Sequence, residues 1–318
     1  MSRRGWVLFA AMSVIWGVPY LLIKVADGGV AVPVLVLARV GIGAAVLLPL
    51  AMRHGRLGEL RPHWRWLGAF ALVEIIVPWL LLSEAERRLS SSMTGLLIAS
   101  VPIIVVVLGL LTGGPQYRNA ERLSPVRWTG LLAGLGGVAL LIGPTAAGGD
   151  ALSVAEVLVV AVCYATGPLI ASRKLGDLPP LEMTAVCLAF AAIVYSPLAA
   201  LTWPSTMPSG QVLAALAGLG VVCTALAFVL FFRLIAEVGP ARASVITYIN
   251  PAVAVALGVS VLGERFTLGM ACAFALILGG SVLATRPGQG KARRLRTSQE
   301  PERSHEPGPL PEPGLERA

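Results

Sequence analysis

Residues 64–83 read WRWLGAFALVEIIVPWLLLS. Twenty residues wound as a helix at about 1.5 Å each reach roughly 30 Å, the thickness of a bilayer's hydrocarbon core. A single acid interrupts the run. Glu74 stands about ten residues in, roughly 15 Å deep and near the midplane. Nine further runs share this character: Gly5–Ala26, Val32–Met52, Ser91–Gly113, Arg127–Gly143, Ser153–Ser172, Glu182–Thr202, Gln211–Phe232, Ala243–Leu262 and Thr267–Thr285. Gly, Pro and Asp mark the turns between them, as in Asp27-Gly28-Gly29 and Asp177-Leu178-Pro179-Pro180.

Composition agrees with ten spans. Hydrophobic residues make up 56% of the 318 and charged residues 13%, where a soluble domain carries about a quarter charged. The mean hydropathy of +0.79 leaves too little polar surface to face water. The expected class is an all-α integral membrane protein with ten transmembrane helices. The net charge of +8 lies between and beyond the apolar runs, so it reflects membrane orientation rather than a nucleic-acid surface. Cys163, Cys187, Cys223 and Cys272 lie singly inside apolar runs, with no C-x-x-C, and read as packing residues. His54, His63 and His305 fall in loops or the tail, so neither a metal nor a cofactor is expected. Ser2-Arg3-Arg4 precedes a run too long, and without a cleavage pattern, to be an export signal; it reads as a permanent first helix.

Charge placement orients the spans. With the N-terminus inside, the inner segments hold Arg3 and Arg4; Arg53, Arg56, Arg61 and Arg65; Arg118, Arg122 and Arg127; Arg173 and Lys174; and Arg233 and Arg242. The outer loops hold Arg87, Arg88 and Arg265. The asymmetry emerges with ten alternating spans, which places both termini in the cytoplasm of an inner-membrane protein. Residues 286–318, rich in Pro, Glu and Arg, read as a disordered tail.

The chain also aligns with itself at an offset of about 148 residues. Trp16-Gly17 falls on Tyr164-Ala165 and Pro49 on Pro197; after one change of frame, Ser100-Val101-Pro102 falls on Ile249-Asn250-Pro251. Past a six-residue insertion, Glu121-Arg122-Leu123-Ser124 meets Glu264-Arg265-Phe266-Thr267, and Gly136-Gly137 meets Gly279-Gly280. Two units are expected, 1–143 and 144–285. Five spans is odd, so the second unit enters with opposite orientation, the inverted repeat found in many secondary transporters.

Over residues 5–285 the chain resembles the EamA-type carriers of the drug/metabolite transporter superfamily. The resemblance rests on Trp16-Gly17-x-x-Tyr20-x-x-x-Lys24, Leu37-Ala38-Arg39, Ile249-Asn250-Pro251 and Leu262-Gly263-Glu264-Arg265. It implies a secondary carrier, often an exporter of amino acids, metabolites or toxic compounds, with lipid and a small-molecule solute as its partners.

A charge inside the bilayer marks a pathway or a pair. Glu74 reads either as a protonatable coupling group, with protons as a further partner, or as the static partner of Arg39, which lies roughly 10 Å deep in the second span. At the matching positions the second unit has uncharged Cys187 and Cys223. Lys24 reads as an attractor of anions or a snorkelling lysine. Trp16 and Tyr20, one turn apart on one face, are cavity-lining candidates with Tyr164 and Trp79. Pro251 and Pro102 are expected helix breaks, because proline frees the carbonyl one turn earlier; Thr247, Tyr248, Asn250 and Ser100 would supply polar contacts there. Glu264 and Glu121 read as loop caps. Gly130-x-x-x-Gly134 could serve internal packing or a homodimer.

No G-x-x-x-x-G-K-[ST] loop is present, so energy is expected from a gradient or from exchange. The alternative is an intramembrane enzyme acting on lipid or a lipid-linked substrate. It needs clustered acid, base or metal ligands, and finds only Glu84 and Glu86 among polar loop neighbours.

Overall fold

A computed structural model describes residues 1–111, 124–147 and 150–285. Glu121, the insertion before it and the tail from Arg286 lie outside the described residues.

Among the described residues, eight helical stretches are long and apolar enough to cross a membrane, from Arg3–Asp27 to Gly210–Val238. Two shorter apolar helices of 17 residues, Ile246–Leu262 and Leu268–Ala284, follow. Over their described residues the ten predicted runs are therefore helical. Their outer faces remain apolar: Val7, Ile193 and Leu201 (84% exposed) project away from the core, as side chains in lipid do.

Several runs are not single helices. The first divides into α1 (Arg3–Ile15) and α2 (Pro19–Asp27). After α3 (Val32–His54), the third run is α4 (Trp64–Ala71), a π-helical segment (Leu72–Ile76) and α5 (Val77–Glu86). The fourth divides at Ala99-Ser100 into α6 (Ser91–Ile98) and α7 (Val101–Leu111), as Pro102 predicts. Then come α8 (Pro125–Ala147), α9 (Ala151–Lys174) and α10 (Pro180–Leu201). The eighth run is α11 (Gly210–Ala217), a second π-helical segment (Gly218–Leu226) and α12 (Ala227–Val238). Short α13 (Pro240–Ala243) leads to α14 (Ile246–Leu262) and α15 (Leu268–Ala284).

One expected break is corrected: α14 runs through Pro251 without interruption. The ninth run is divided earlier, at Ser244-Val245. A helix tolerates an internal proline where other groups take the freed carbonyl's role.

The buried side chains form three clusters. The largest joins α2, α3, α5 and α10 around Ile23, Leu35, Leu47 and Leu188. A second joins α6, α7, α8 and α15 around Leu96, Ile103 and Ile277. A third joins α1, α12 and α14 around Met12, Leu234 and Ile246. The glycine face of α8 is spent inside the chain. A Cβ on Gly130 would lie 2.6 Å from the Ala284 nitrogen and 2.9 Å from the Gly280 carbonyl oxygen. Small residues let helix backbones meet in lipid, where no water is available to drive association.

Candidate functional site

The two π-helical segments occupy corresponding places in the two halves, with Glu74 in the first and its aligned partner Cys223 in the second. A π-bulge widens one turn and recurs at functional positions. In the first, Pro78 has no N–H to give the Glu74 carbonyl one turn earlier. The Tyr195 hydroxyl donates to the Ile76 carbonyl at 2.6 Å, holding the widened turn against α10. In the second, the Thr224 hydroxyl donates five residues back to the Leu219 carbonyl at 2.8 Å. Gly220 brings this segment against α3, since a Cβ there would lie 2.5 Å from that of Ile42. Tyr195→Phe removes a buried bond and leaves a carbonyl unsatisfied, at a cost of about 1–3 kcal/mol. Chemical or thermal unfolding in detergent measures this; equal stability would refute the role of Tyr195.

Against the second segment sits Arg39, 7% exposed. Its Nε donates to Thr224 Oγ1 at 3.2 Å, and its Cζ lies 3.7 Å from the Trp79 ring centroid, a cation–π stack. Tyr20 and Tyr164 are close enough to sense its charge, and Trp79 is within hydrogen-bonding reach of Tyr164. The structure thus brings Arg39, Trp79, Tyr20 and Tyr164 together. No ion pair joins Arg39 to Glu74 among the described residues.

Glu74 lies on the other side of Tyr164, against α9. Its neighbours there are Cys163 and Gly167, and Gly167 has no room for a Cβ because the Glu74 carboxylate fills that space. Glu74 Oε2 is sealed from solvent and accepts no hydrogen bond from the described residues.

The break in helix one is locked to α14. Gly17 N–H turns back to the Val14 carbonyl at 2.9 Å, so the Ser13 carbonyl loses its usual partner. With its amide nitrogen turned toward them, Asn250 donates to the Ser13 carbonyl at 3.1 Å and the Ile246 carbonyl at 2.9 Å. A Cβ on Gly17 would collide with Val253 at 2.5 Å. Asn250 and Gly17 thus hold two interrupted helices together.

A second polar layer closes the end of the bundle that the charge pattern assigns to the outside. Lys24 Nζ donates to the carbonyl oxygens of Glu86 and, at 2.9 Å, of Leu89. Lys24 therefore caps the C-terminal end of α5. The Glu86 side chain is fully buried, and neither carboxylate oxygen has a hydrogen-bond partner. The Glu264 carboxylate crosses from the second half to the N-terminus of α6. It accepts from Ser91 N at 2.7 Å, Ser92 N at 2.9 Å and Ser92 Oγ at 2.5 Å. Burial by itself would raise the Glu264 pKa, but these bonds outweigh it and hold the group below the usual carboxylate value.

The sign of the pH effect follows. With a folded pKa below the unfolded one, the cap contributes fully above the unfolded carboxylate value of about 4.3 and is lost as pH falls through the folded value. Glu264→Gln should lower stability by about 1 kcal/mol at neutral pH and flatten the acid limb of a plot of melting temperature against pH. An unchanged acid limb would show that another group governs it.

A family model described as the EamA-like transporter family matches residues 3–143 and again residues 152–286. The chain belongs to the EamA-like transporter family. It is similar to the inner membrane transporter YedA of Escherichia coli, in strains K12, CFT073 and O157:H7. Identity is 28% over 282 residues, covering 86% of this chain and 88% of each relative. It also shares its fold with a solved crystal structure at 23% identity, with a TM-score of 0.62, covering 88% of this chain and 96% of that one.

In this EamA-like protein the remaining candidates scatter. Trp16 and Tyr20 do not share a face, because the helix breaks between them. Trp16 packs against Phe231 (centroids 4.6 Å apart) and Phe228 (6.1 Å) in the third cluster. Tyr248 lies 3.3 Å from the Thr285 hydroxyl, and Thr247 and Ser100 bond to backbone carbonyls within their own helical turns. The loop reading of Glu86 is corrected: it ends α5 and is buried, although polar neighbours in sequence suggest exposure. The two π-bulges carry no sequence mark beyond Pro78. Among the described residues no three His, Cys, Asp or Glu side chains gather as metal ligands.

Proposed function

We propose that this EamA-like transporter is a secondary carrier that moves a small organic solute across the inner membrane by alternating access, in the direction of export. The single observation that carries the reading is the pair of π-helical segments at corresponding positions, the first carrying Glu74 and the second holding Arg39 through Thr224. Widened turns at corresponding places suit a binding site at the junction of two repeats.

Two five-helix units of opposite orientation, 1–143 and 144–285, supply the halves that rock; the two separate family matches support this division. Both termini lie in the cytoplasm on the charge pattern. The Glu264 bonds to Ser91 and Ser92 tie the halves at the outer end, so opening that side requires breaking them. Glu74 exchanges the coupling proton. Its orphaned Oε2 and the lack of an ion pair with Arg39 support this role over that of a static partner.

The test is uptake of labelled amino acids and small metabolites into proteoliposomes, with and without an imposed pH gradient. Saturable uptake raised by the gradient is the expected result. Saturable exchange indifferent to the gradient would leave the carrier and remove proton coupling. Catalytic turnover of lipid with no saturable uptake would overturn the carrier reading itself.

A further inference from the structure

Arg39 is a buried cation with most of its donors unspent. Of its five N–H groups, only Nε–H has a hydrogen-bond partner, Thr224 Oγ1. Among the described residues Nη1 and Nη2 have no hydrogen-bond partner, and they are not among the polar atoms sealed from solvent, so each keeps some accessible surface. Among the described residues no carboxylate lies within ion-pairing distance; Glu86 senses the charge only from farther off.

A guanidinium keeps its charge at any pH a cell reaches, so it cannot escape burial by losing a proton. Buried charges in stable structures are paired. Arg39 is instead held ready. Trp79 stacks on its plane at 3.7 Å, and Thr224, fixed in turn by its bond to Leu219, holds Nε. The fork is pinned at one edge while the Nη edge stays open.

We infer that the Nη edge of Arg39 binds the carboxylate of the transported solute, and that the substrates are small monocarboxylates with a flat apolar body. The inference rests on the carrier reading above. The planar fork matches the two oxygens of a carboxylate in a bidentate pair. Trp79, Tyr20 and Tyr164 stand beside it, so the surroundings of the fork are aromatic and suit a flat apolar body. A phosphate or phosphonate dianion would call for a second cation, and Lys24, the other cation that acts on the neighbouring Glu86, is engaged with two carbonyls.

Hippurate, its primary amide and its phosphonate analogue are suitable probes, added to the full-length protein in detergent. Binding is followed by the rise in melting temperature and by calorimetry. The expected result is saturable binding of hippurate, with the amide and the phosphonate each weaker by roughly tenfold or more. Arg39→Lys keeps the charge but not the fork and should weaken hippurate by about tenfold; Arg39→Gln should bind acid and amide alike. If Arg39→Gln does not fold, Arg39→Lys and Thr224→Val, together with the ligand series on the unaltered protein, carry the test. Equal binding of acid and amide, stronger binding of the phosphonate, no binding of any probe, or full discrimination in Arg39→Lys would overturn the proposal.

Uptake separates the two readings. Saturable uptake of the amide but not of hippurate, measured against protein-free liposomes, keeps the carrier and removes the anchor. Arg39-dependent binding with no uptake of either probe keeps the anchor and removes the carrier.

Discussion

Replacing Glu74 by Gln should abolish gradient-driven uptake while leaving solute binding and solute exchange intact. Gln preserves the shape and the carbonyl oxygen of the side chain but cannot carry a proton through a transport cycle. The structure gives the substitution little else to disturb: Oε2 accepts no hydrogen bond, and no ion pair ties Glu74 to Arg39. The carboxyl can therefore exchange a proton without first breaking a partner contact. The effect should exceed tenfold on the gradient-dependent rate, a loss of at least 1.4 kcal/mol of driving interaction. The check is uptake at a fixed solute concentration, with and without a pH step, for both proteins. If Glu74→Gln retains the response to the pH step, the proton travels elsewhere and Glu74 is a packing residue for α9. Gly167→Ala adds a second arm, because its methyl group would occupy the space of the carboxylate and should impair the same coupling.

The largest loss of stability is expected for Gly280→Val. A Cβ at Gly280 would lie 2.5 Å from Gly134 N, 2.6 Å from the Gly130 carbonyl oxygen and 2.7 Å from Gly134 Cα. All three are backbone atoms, so no rotamer change relieves the clash and α8 must move away from α15. Overpacking of this kind costs about 1–3 kcal/mol, and a rigid backbone neighbour puts this site at the upper end. The adjacent residue is the control. A Cβ on Gly279 would meet nothing within 4 Å, so Gly279→Ala should be neutral or stabilise the helix by about 0.5–1 kcal/mol. Thermal unfolding in detergent distinguishes the two. Equal effects at Gly279 and Gly280 would show that α8 and α15 do not meet as closely as described. The same pair bears on assembly, since the glycine face that reads equally well as a dimer surface in sequence is occupied within the chain.

The helices themselves were legible because lipid imposes a one-dimensional rule. A segment that crosses must be apolar for about twenty residues and must satisfy its backbone internally, and both conditions are written in consecutive residues. Pro102 likewise announces its own break. The site was legible only in part. Arg39, Trp79, Tyr20 and Tyr164 converge from four different spans; the sequence groups the three aromatics as cavity-lining candidates but sets Arg39 apart as a partner for Glu74. Trp16 went astray for a local reason: its face depends on a helix that the next residue interrupts, and the interruption is stabilised from α14. Glu86 went astray for a non-local one. Its sequence neighbours Glu84, Arg87 and Arg88 are polar, but α2 and α6 cover it in space.

The sequence by itself determined that this chain is an all-helical membrane protein of the EamA-like type, with a base and an acid deep in its second and third spans. Hydrophobic length, loop charge and self-alignment are properties of the chain read along its own axis. Tertiary structure alone decided that Glu74 and Arg39 do not pair, that Lys24 closes a helix end, that Glu264 ties the two halves, and that Asn250 mends the break at Gly17. Each of these depends on a distance between residues 35 to 237 positions apart. Such distances are set by how side chains of unlike volume pack between helices, and packing follows from three-dimensional fit rather than from sequence order.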